Sequence, residues 1–176
     1  MEPIISKNCR IRCPDGFSIG DFSIVDDFCY FSTKVRVGRF CHIASGCSVA
    51  GGGDMSFTMG DCSSLSSGVK VWCSSNDYVN DIIMITPPGV RLSDKVIKGD
   101  VNIGRFCGIG ANTVIMPGND IPEGVAIGAL SFVPPGFKFK PWTVYSGIPI
   151  KRIKARNRKN VLKQYQELKR QIPSGW

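Results

Sequence analysis

The stretch IKGDVN, IGRFCG, IGANTV, IMPGND, IPEGVA, IGALSF, residues 97–132, places an isoleucine at every sixth position. Those isoleucines are Ile97, Ile103, Ile109, Ile115, Ile121 and Ile127. A period of six fits neither the roughly 3.6 residues per turn of an α-helix nor the heptad of a coiled coil, and a fixed short period indicates a solenoid. Short strands that turn a corner every six residues need one large apolar side chain pointing inward and a small one beside it. The stretch therefore predicts stacked β-coils with a ladder of isoleucines inside.

The same period begins earlier, at Ile19, and runs to Val133 with two interruptions. The first follows Val49, where AGGGDMSFT adds four residues, and its glycines predict a loop that bulges from an otherwise preserved coil. The second is DYVNDIIMITPPGVRLSDKV, residues 77–96, which has no period and contains a PPG break. We expect a projecting arm there, and loops of this length are usually functional.

The first residues of the hexads sort into three columns if three hexads complete one triangular turn. The columns are Ile19, Val37, Met59, Ile97, Ile115 and Val133; Val25, Ile43, Leu65, Ile103 and Ile121; and Phe31, Val49, Val71, Ile109 and Ile127. Every member is apolar, so the columns predict the three inner walls of an all-β solenoid. In this interpretation Ile97 follows Met59 directly in its column.

The chain length of 176 residues, 43% of them hydrophobic, predicts one globular or solenoid unit. We expect a β-helix domain over residues 1–150, with hexad coils at 19–133 and a proline-punctuated segment at 134–150 that folds back along them. Residues 151–176 are expected to form a basic C-terminal helix and tail. In that helix Val161, Tyr165 and Leu168 share one apolar stripe.

The net charge of +8 is concentrated at the C-terminal end of the chain. Residues 151–176 hold nine of the 22 basic residues and only one of the 14 acidic ones. A basic tail without interleaved aromatic residues or a nucleic-acid-binding motif is a weak signal for nucleic acid. We therefore expect a solvated basic face that packs within the protein's own oligomer, and no nucleic-acid partner.

Compartment and metal content are predicted from the cysteines and from the absence of apolar runs. There is no stretch of eighteen apolar residues and no charged, apolar and small-residue leader, so neither a membrane span nor a signal peptide is expected and the prediction is cytoplasmic. Cys29, Cys41, Cys47 and Cys107 stand at the fifth position of hexads, which predicts reduced core thiols. With no CxxC pair and a single histidine, no metal site is expected.

The hexads from Ile19 to Phe132, followed by YSGIPIKR at residues 145–152, resemble the hexapeptide-repeat acyltransferases. That family includes galactoside and maltose O-acetyltransferases and bacterial sugar N-acetyltransferases. The resemblance implies a left-handed parallel β-helix, a homotrimer with active sites in the clefts between subunits, and acetyl-CoA as the donor. It implies transfer of an acetyl group to a sugar hydroxyl or amine, in bacterial surface-polysaccharide or nucleotide-sugar metabolism, and leaves the acceptor open.

The resemblance also implies where the CoA donor lies. IGAN and IGAL match positions in the family whose backbone amides hydrogen-bond the pantetheine of CoA. The final GxP and the basic residue after it match a family segment that packs on the adenine end of CoA. The matching residues, with two further lysines that could meet CoA phosphates, are Gly110, Ala111, Gly128, Ala129, Gly147, Pro149, Lys151, Lys138 and Lys154. Small residues let a strand edge come close enough to bond such a ligand. Corner geometry alone also explains these glycines, and both interpretations can hold.

The candidate base is His42, the only histidine and the sixth residue of VGRFCH, a corner position that should face outward. In the galactoside branch the catalytic histidine lies in a His-Asp pair just before the arm, whereas this chain has SSNDY there. Asn76 thus replaces that histidine, and Asp77 remains. Two mechanisms stay open. Either His42 takes the proton, with the glycine loop and the arm shaping the acceptor pocket, or the acceptor is an amine whose proton Asp77 or bulk water removes after attack. Asn76 cannot act as a base, and its amide is suited to hydrogen-bond the substrate or a developing oxyanion.

The acceptor is expected near the interruptions of the repeat, where polar groups gather. The candidate substrate-binding residues are Gly52, Gly53, Asp54, Asp61 and Tyr78. They favour a polar small molecule such as a sugar or nucleotide-sugar. A non-catalytic β-helix scaffold and an acyltransferase for a non-sugar small molecule remain the alternatives.

Overall fold

A computed structural model describes residues 1–77 and 96–172, so all but the two ends of the predicted arm at 77–96 lies outside the described residues. The strands are β1 (Ile4–Ile5), β2 (Arg10–Ile11), β3 (Phe17–Ile19), β4 (Ile24–Val25), β5 (Tyr30–Val37), β6 (His42–Ile43), β7 (Ser48–Met59), β8 (Ser64–Leu65), β9 (Lys70–Trp72), β10 (Ser74–Asn76), β11 (Val96–Lys98), β12 (Val101–Ile103), β13 (Gly108–Ile109), β14 (Val114–Ile115), β15 (Asp120–Ile121), β16 (Ala126–Ile127), β17 (Phe132–Val133), β18 (Thr143–Ser146) and β19 (Lys151–Ala155). One helix, α1 (Arg158–Gln171), follows them. The predicted all-β solenoid with a C-terminal helix is confirmed.

The coils form three faces. Face A is an eight-stranded sheet in the order β1-β4-β6-β8-β13-β16-β18-β19, parallel except for its last, antiparallel pair. Face B carries β2, the start of β5, the start of β7, β9, β14 and β17, and face C carries β3, the ends of β5 and β7, β12 and β15. The long strands β5 and β7 bend around the edge between faces B and C, so these two faces share one sheet.

Three corners join the faces, and each is named here after the faces on either side. The AB corner comprises residues 6–9, 26–29, 44–47, 66–69, 110–113 and 128–131, and the CA corner comprises residues 20–23, 38–41, 60–63, 104–107 and 122–125. The BC corner comprises residues 32–34 and 50–56, and the arm strands β10 and β11 leave and return there. In a triangular coil the BC corner lies opposite face A.

The inner columns follow the predicted sorting as far as Val71 and then differ by one hexad. Ile103 pairs with Met59, Ile109 with Leu65 and Ile115 with Val71. The predicted place of Ile97 below Met59 is wrong, because Ile97 pairs with Ser75 in the antiparallel hairpin of β10 and β11 and is only half-buried. Ile97 therefore belongs to the returning strand of the arm, β11, whereas Val101 and Asn102 at the end of the same hexad already lie in β12 on face C.

The fifth position of the hexads is buried and carries small side chains that can donate a hydrogen bond. The thiols of Cys29 and Cys107 donate to carbonyl oxygens in the next coil, of Ala44 at 3.3 Å and Pro122 at 3.2 Å. The hydroxyl of Ser63 donates in the same way to Gly104 O, at 2.8 Å. A corner carbonyl that turns inward needs such a donor, since an unpaired buried polar group is costly. All eight cysteines are free thiols.

The C-terminal segment closes the end of the solenoid and one corner. Strand β18 adds the seventh strand of face A, and the Tyr145 hydroxyl accepts a hydrogen bond from the N–H of Lys140 at 2.8 Å. Helix α1 lies over the CA corner, with the ring of Tyr165 edge-on to that of Phe106. Both rings line a cavity of about 380 Å³ between the helix and the coils, and Val161 and Leu168 line it as well. The predicted apolar stripe of the helix therefore faces the coils. Within residues 1–77 and 96–172 no helix is long and apolar enough to cross a membrane.

Candidate active site

His42 is the first residue of β6 and faces outward on face A, as predicted. Its Nε2 lies 2.8 Å from Oδ2 of Asp26, and the two side chains are 49% and 41% exposed. Asp26 begins the AB corner of the preceding coil, directly after Val25, which pairs with Ile43. With its Nε2–H donated to this carboxylate, the imidazole keeps Nδ1 as a proton acceptor, which is the arrangement of an oriented general base.

Asp26 was missed from the sequence, although the signal for it was present. The columns place Val25 beside Ile43, so the residue after Val25 must lie close to the strand that carries His42. The pairing of an acid with a histidine sixteen residues further on follows from the coil and from no local motif.

The residues that were predicted to bind CoA at the AB corner are stacked in successive coils. A side chain on Gly110 would put Cβ 2.3 Å from the backbone nitrogen of Ala129, and one on Gly128 would put Cβ 2.6 Å from the Ser146 hydroxyl oxygen. Gly110 is therefore needed for close stacking of the coils, whereas a side chain on Gly128 would have to displace the Ser146 side chain. Among the described residues, no acceptor takes the N–H groups of Ala111 and Ala129. A corner with free amides can bond an extended ligand that carries its own amides.

The other residues that were predicted to bind CoA do not all lie at the AB corner. Gly147 joins it, because its N–H donates to the Ser131 hydroxyl at 3.1 Å, and the exposed Pro149 and Lys151 follow close behind. Lys154 pairs with Val144 further along β19, a strand exposed at every residue. The remaining residue is separate: Lys138 follows face B at the BC end of the last coil, and the structure does not bring it together with the others.

The glycine loop, Gly51–Asp54, bulges at the BC corner. Strand β7 needs four more residues than β5 to cover the same span, as predicted from the interruption. The hydroxyl of Thr33 lies 2.9 Å from the carbonyl oxygen of Gly52, and a Cβ on Gly51 would lie 2.6 Å from the Cβ of Cys73. The loop is thus pinned at its base, whereas Gly52, Gly53 and Asp54 are exposed.

The base of the arm lies beside the glycine loop. The N–H of Cys73 donates to the carbonyl oxygen of Ala50 at 2.6 Å, and the N–H of Ser56 donates to Oδ1 of Asp100 at 2.8 Å. Asn76 ends β10, so it and Asp77 belong to this corner. Tyr78 lies outside the described residues.

Asp61 does not belong with the glycine loop. It lies at the CA corner, where its Oδ1 accepts a hydrogen bond from the N–H of Arg39 at 2.9 Å and its Oδ2 lies 3.8 Å from Nε of Arg105. These contacts link the coil of Asp61 to the coils before and after it, so a structural role accounts for this carboxylate.

Two cavities flank the glycine loop, and the cations in them were not singled out from the sequence. One, of about 290 Å³, lies on the face B side and is lined by Arg12, Ser32, Gly52 and Gly53, among others. The second, of about 540 Å³, lies on face C, and Lys34 and Arg36 are among the residues that line it. The sequence signal was the alternation of KVR in FSTKVR around the buried Val35.

Comparison with known proteins decides the family. A dTDP-4-amino-4,6-dideoxy-D-glucose acyltransferase of Escherichia coli is 35% identical over 158 residues, which are 88% of this chain and 80% of that protein. The chain belongs to the hexapeptide-repeat acyltransferase family. A probable macrolide acetyltransferase of Lysinibacillus sphaericus is 32% identical over 127 residues, 72% of this chain and 63% of that protein. No protein-family model matches the chain.

Solved structures agree with this membership. AntD, an N-acyltransferase from Bacillus cereus in complex with dTDP and 3-hydroxybutyryl-CoA, superposes with a TM-score of 0.84 at 34% identity, over 96% of this chain and 87% of that one. A maltose O-acetyltransferase from Clostridium difficile superposes with a TM-score of 0.56 at 20% identity, over 90% of this chain and 68% of that one, which shows the fold alone. The predicted family and the predicted enzyme class, an acyltransferase, are confirmed.

Proposed function

We propose that this acyltransferase moves an acyl group from acyl-CoA to the amine of a nucleotide-linked amino sugar. The observation that carries the proposal is the near full-length similarity to the E. coli enzyme for dTDP-4-amino-4,6-dideoxy-D-glucose. It is supported by a variant of AntD at 33% identity whose structure is a complex with dTDP-4-amino-4,6-dideoxyglucose and coenzyme A. Among the predicted acceptors, an amine is therefore favoured over a hydroxyl. The predicted acetyl-CoA is the smallest donor of this class, and 3-hydroxybutyryl-CoA in the AntD complex widens the range to test.

The chemistry needs a proton acceptor near the thioester. As the amine nitrogen attacks the thioester carbonyl, the N–C bond forms, the C–S bond breaks, the nitrogen loses a proton and the CoA sulfur leaves to take one up. His42, held through Nε2 by Asp26, is the proposed acceptor, with Nδ1 free for the proton. Asp77 or bulk water, with Asn76 as a hydrogen-bonding group, remains the second mechanism, since a neutral amine attacks without prior deprotonation.

The donor half of the proposed site follows the AB corner. Gly147, Pro149 and Lys151 mark its C-terminal end, and Ala129 and Ala111 follow in the next two coils. On face A, β6, which carries His42, is two strands away from β13, which precedes Ala111. At the usual strand spacing this distance is about 10 Å. A pantetheine bonded to these corner amides therefore points its thioester end toward His42 and its phosphates toward Lys151 and Lys154. Lys138 lies outside this path.

The acceptor half lies elsewhere on the same chain. The glycine loop and the base of the arm lie at the BC corner, which is opposite the face that carries His42. Within residues 1–77 and 96–172, one chain therefore does not bring the two halves together, and we propose that a second copy supplies the missing half. This supports the homotrimer implied by the family, with face A of one subunit facing the BC corner of its neighbour.

The test is steady-state acyl transfer with the product identified by mass spectrometry. The acceptors are a dTDP-linked 4-amino sugar, the same sugar without its nucleotide, and a macrolide, each with acetyl-CoA and with 3-hydroxybutyryl-CoA. We expect an N-acylated nucleotide sugar and little product from the free sugar. If no acceptor is acylated and calorimetry detects no binding of acyl-CoA, the non-catalytic scaffold replaces this proposal.

A further inference from the structure

We infer that Lys34 and Arg36 form the binding site for the diphosphate of the acceptor, in the cavity on face C beside the glycine loop. The inference rests on the proposed function, because it names where a nucleotide-linked acceptor is held. It goes further by assigning that role to two cations that the repeat pattern does not single out.

The cavity is built by the alternation of two neighbouring strands. In β5 the buried Val35 separates Lys34 from Arg36, so both cations project from the same outer side. In β7 the buried Phe57 likewise separates Ser56 from Thr58. The result is a groove of about 540 Å³ whose lining includes the outward-facing Lys34, Arg36, Ser56 and Thr58. Two residues along a strand span about 7 Å, so one extended anionic group can meet both cations.

Lys34 and Arg36 have no counter-ion among the described residues, whereas other polar side chains of face C are hydrogen-bonded to one another. Neither Lys34 nor Arg36 forms an ion pair within residues 1–77 and 96–172. In contrast, the amide of Asn102 accepts from the hydroxyl of Thr58 at 2.7 Å and donates to Asp120 at 2.6 Å. An arginine fork and a lysine point charge left unpaired in one groove favour phosphate oxygens as the ligand.

The position of Lys34 is set by a glycine. A Cβ on Gly16 would lie 2.9 Å from Cγ of Lys34, so the lysine stem lies across the turn Pro14–Gly16 only because residue 16 has no side chain. This contact limits the directions in which the Lys34 ammonium can point. Asp15 in the same turn also lines the cavity and is the one acidic residue that does so in the part of the chain that the structure describes. It lowers the positive potential there, so its removal should not weaken an anionic ligand.

The location fits the acceptor half of the proposed site. Ser56 of the groove lies two residues from Asp54 of the glycine loop, and Gly52 and Gly53 line the adjacent cavity. A diphosphate held by Lys34 and Arg36 therefore places the sugar of the same molecule beside the loop. The donor corner is on the other side of the chain, so these cations do not compete for the CoA phosphates.

The experiment measures binding of dTDP by calorimetry to the wild-type protein and to Lys34→Gln, Arg36→Gln and the double variant. Each single substitution should weaken dTDP about tenfold or more, because it removes a charge-assisted contact to the phosphate oxygens. Arg170→Gln, which removes an exposed arginine from the last turn of α1, is the matched control and should leave the affinity unchanged. Asp15→Asn should bind dTDP at least as tightly as the wild type. Binding of acyl-CoA should be the same in all variants, and thermal unfolding checks their fold.

The outcomes separate this site from the proposed function. UDP and pyrophosphate are measured in the same way as dTDP. A double variant that binds dTDP as tightly as the wild type overturns the site. A wild-type protein that binds none of the three overturns it as well. If pyrophosphate or UDP binds and the double variant loses it, but no nucleotide-linked amino sugar is acylated, the site stands and the proposed acceptor is wrong.

Discussion

His42 and Asp26 are joined across two successive coils by a 2.8 Å contact between Nε2 and Oδ2. The pair exists because β4 and β6 are parallel neighbours in register, with Ile24 beside His42 and Val25 beside Ile43. Asp26 is the first residue after β4, so its carboxylate can reach back over the outer side of β6. A base that is oriented by a rigid sheet loses little freedom when substrate binds.

Replacing this histidine is the direct test of its proposed role. In His42→Gln we expect kcat to fall by about 10²–10⁴, the usual contribution of a general base, with the KM for acyl-CoA nearly unchanged. Asp26→Asn should lower kcat less, because an amide can still accept the Nε2–H bond but does not stabilise the imidazolium. Steady-state kinetics with a saturating amine acceptor measures both.

An unchanged kcat in His42→Gln would transfer the role to the second mechanism. Asp77→Asn then distinguishes its two versions, since a loss of kcat assigns the proton to Asp77 and a full kcat assigns it to bulk water.

The glycines of the AB corner give a prediction about stability. In Gly110→Ala the new Cβ would lie 2.3 Å from the nitrogen and 2.7 Å from the Cα of Ala129, which are backbone atoms of the next coil. We expect a loss of about 2–3 kcal/mol, because these atoms cannot move without separating the coils. That corresponds to a fall in Tm of roughly 5–10 °C for a chain of this size.

Gly108→Ala is the matched control, two residues away. An added Cβ there meets nothing within 4 Å, so the Tm should change by no more than about 1–2 °C. Equal melting temperatures for the two variants, measured by calorimetry or circular dichroism, would contradict the close stacking at Gly110.

The fold could be predicted from the sequence because, in the coils, the first residue of each hexad is apolar and lies on the inner wall. Val25, Ile43 and Leu65 were assigned to one column, and they are neighbours on face A. Periodicity failed at Ile97, since a strand that pairs back on the outgoing arm can carry an isoleucine at the same spacing. Only the hydrogen-bonded register distinguishes a coil from a hairpin at that point.

The site was harder to predict than the fold, because its groups meet across coils rather than along the chain. The sequence singled out His42 as a base but did not identify Asp26, its partner in the preceding coil. Asp61 was expected near the glycine loop, and its neighbour across the coils, Arg105, gives it a structural role instead. Which corner a polar residue occupies depends on the count of residues between strands, and the interruptions change that count.

Helix α1 should be held to the solenoid chiefly by one aromatic contact. The ring of Tyr165 lies 5.1 Å from that of Phe106, and the guanidinium of Arg105 lies 5.3 Å from the same tyrosine ring. We expect Tyr165→Ala to lower the free energy of unfolding by about 1–3 kcal/mol, through lost apolar contact and a lost cation–π interaction. Denaturation by urea measures it. Lys163→Ala, an exposed neighbour on the helix, should have an effect within about 0.5 kcal/mol, and a similar loss in both variants would mean that Tyr165 is not the anchor.

We expect the buried thiols to make the protein less stable in alkali. Burial raises the pKa of Cys41, Cys73 and Cys107 from 9.0 to about 11. Above pH 9 the unfolded chain therefore loses thiol protons that the folded chain retains, and stability falls as the pH rises from 9 toward 11. At the upper end each thiol accounts for a loss of up to roughly 2–3 kcal/mol, at about 1.4 kcal/mol per pKa unit.

Urea unfolding under reducing conditions at pH 8, 9 and 10 measures this alkaline loss. The control is Cys107→Ser, because a serine hydroxyl can donate to Pro122 O as the thiol does and does not titrate in this range. Serine already fills the equivalent position at Ser63, whose hydroxyl donates to Gly104 O. The free energy of unfolding of Cys107→Ser should fall less between pH 8 and 10 than that of the wild type. Parallel pH profiles for the two proteins would show that the Cys107 thiol is not the group that titrates.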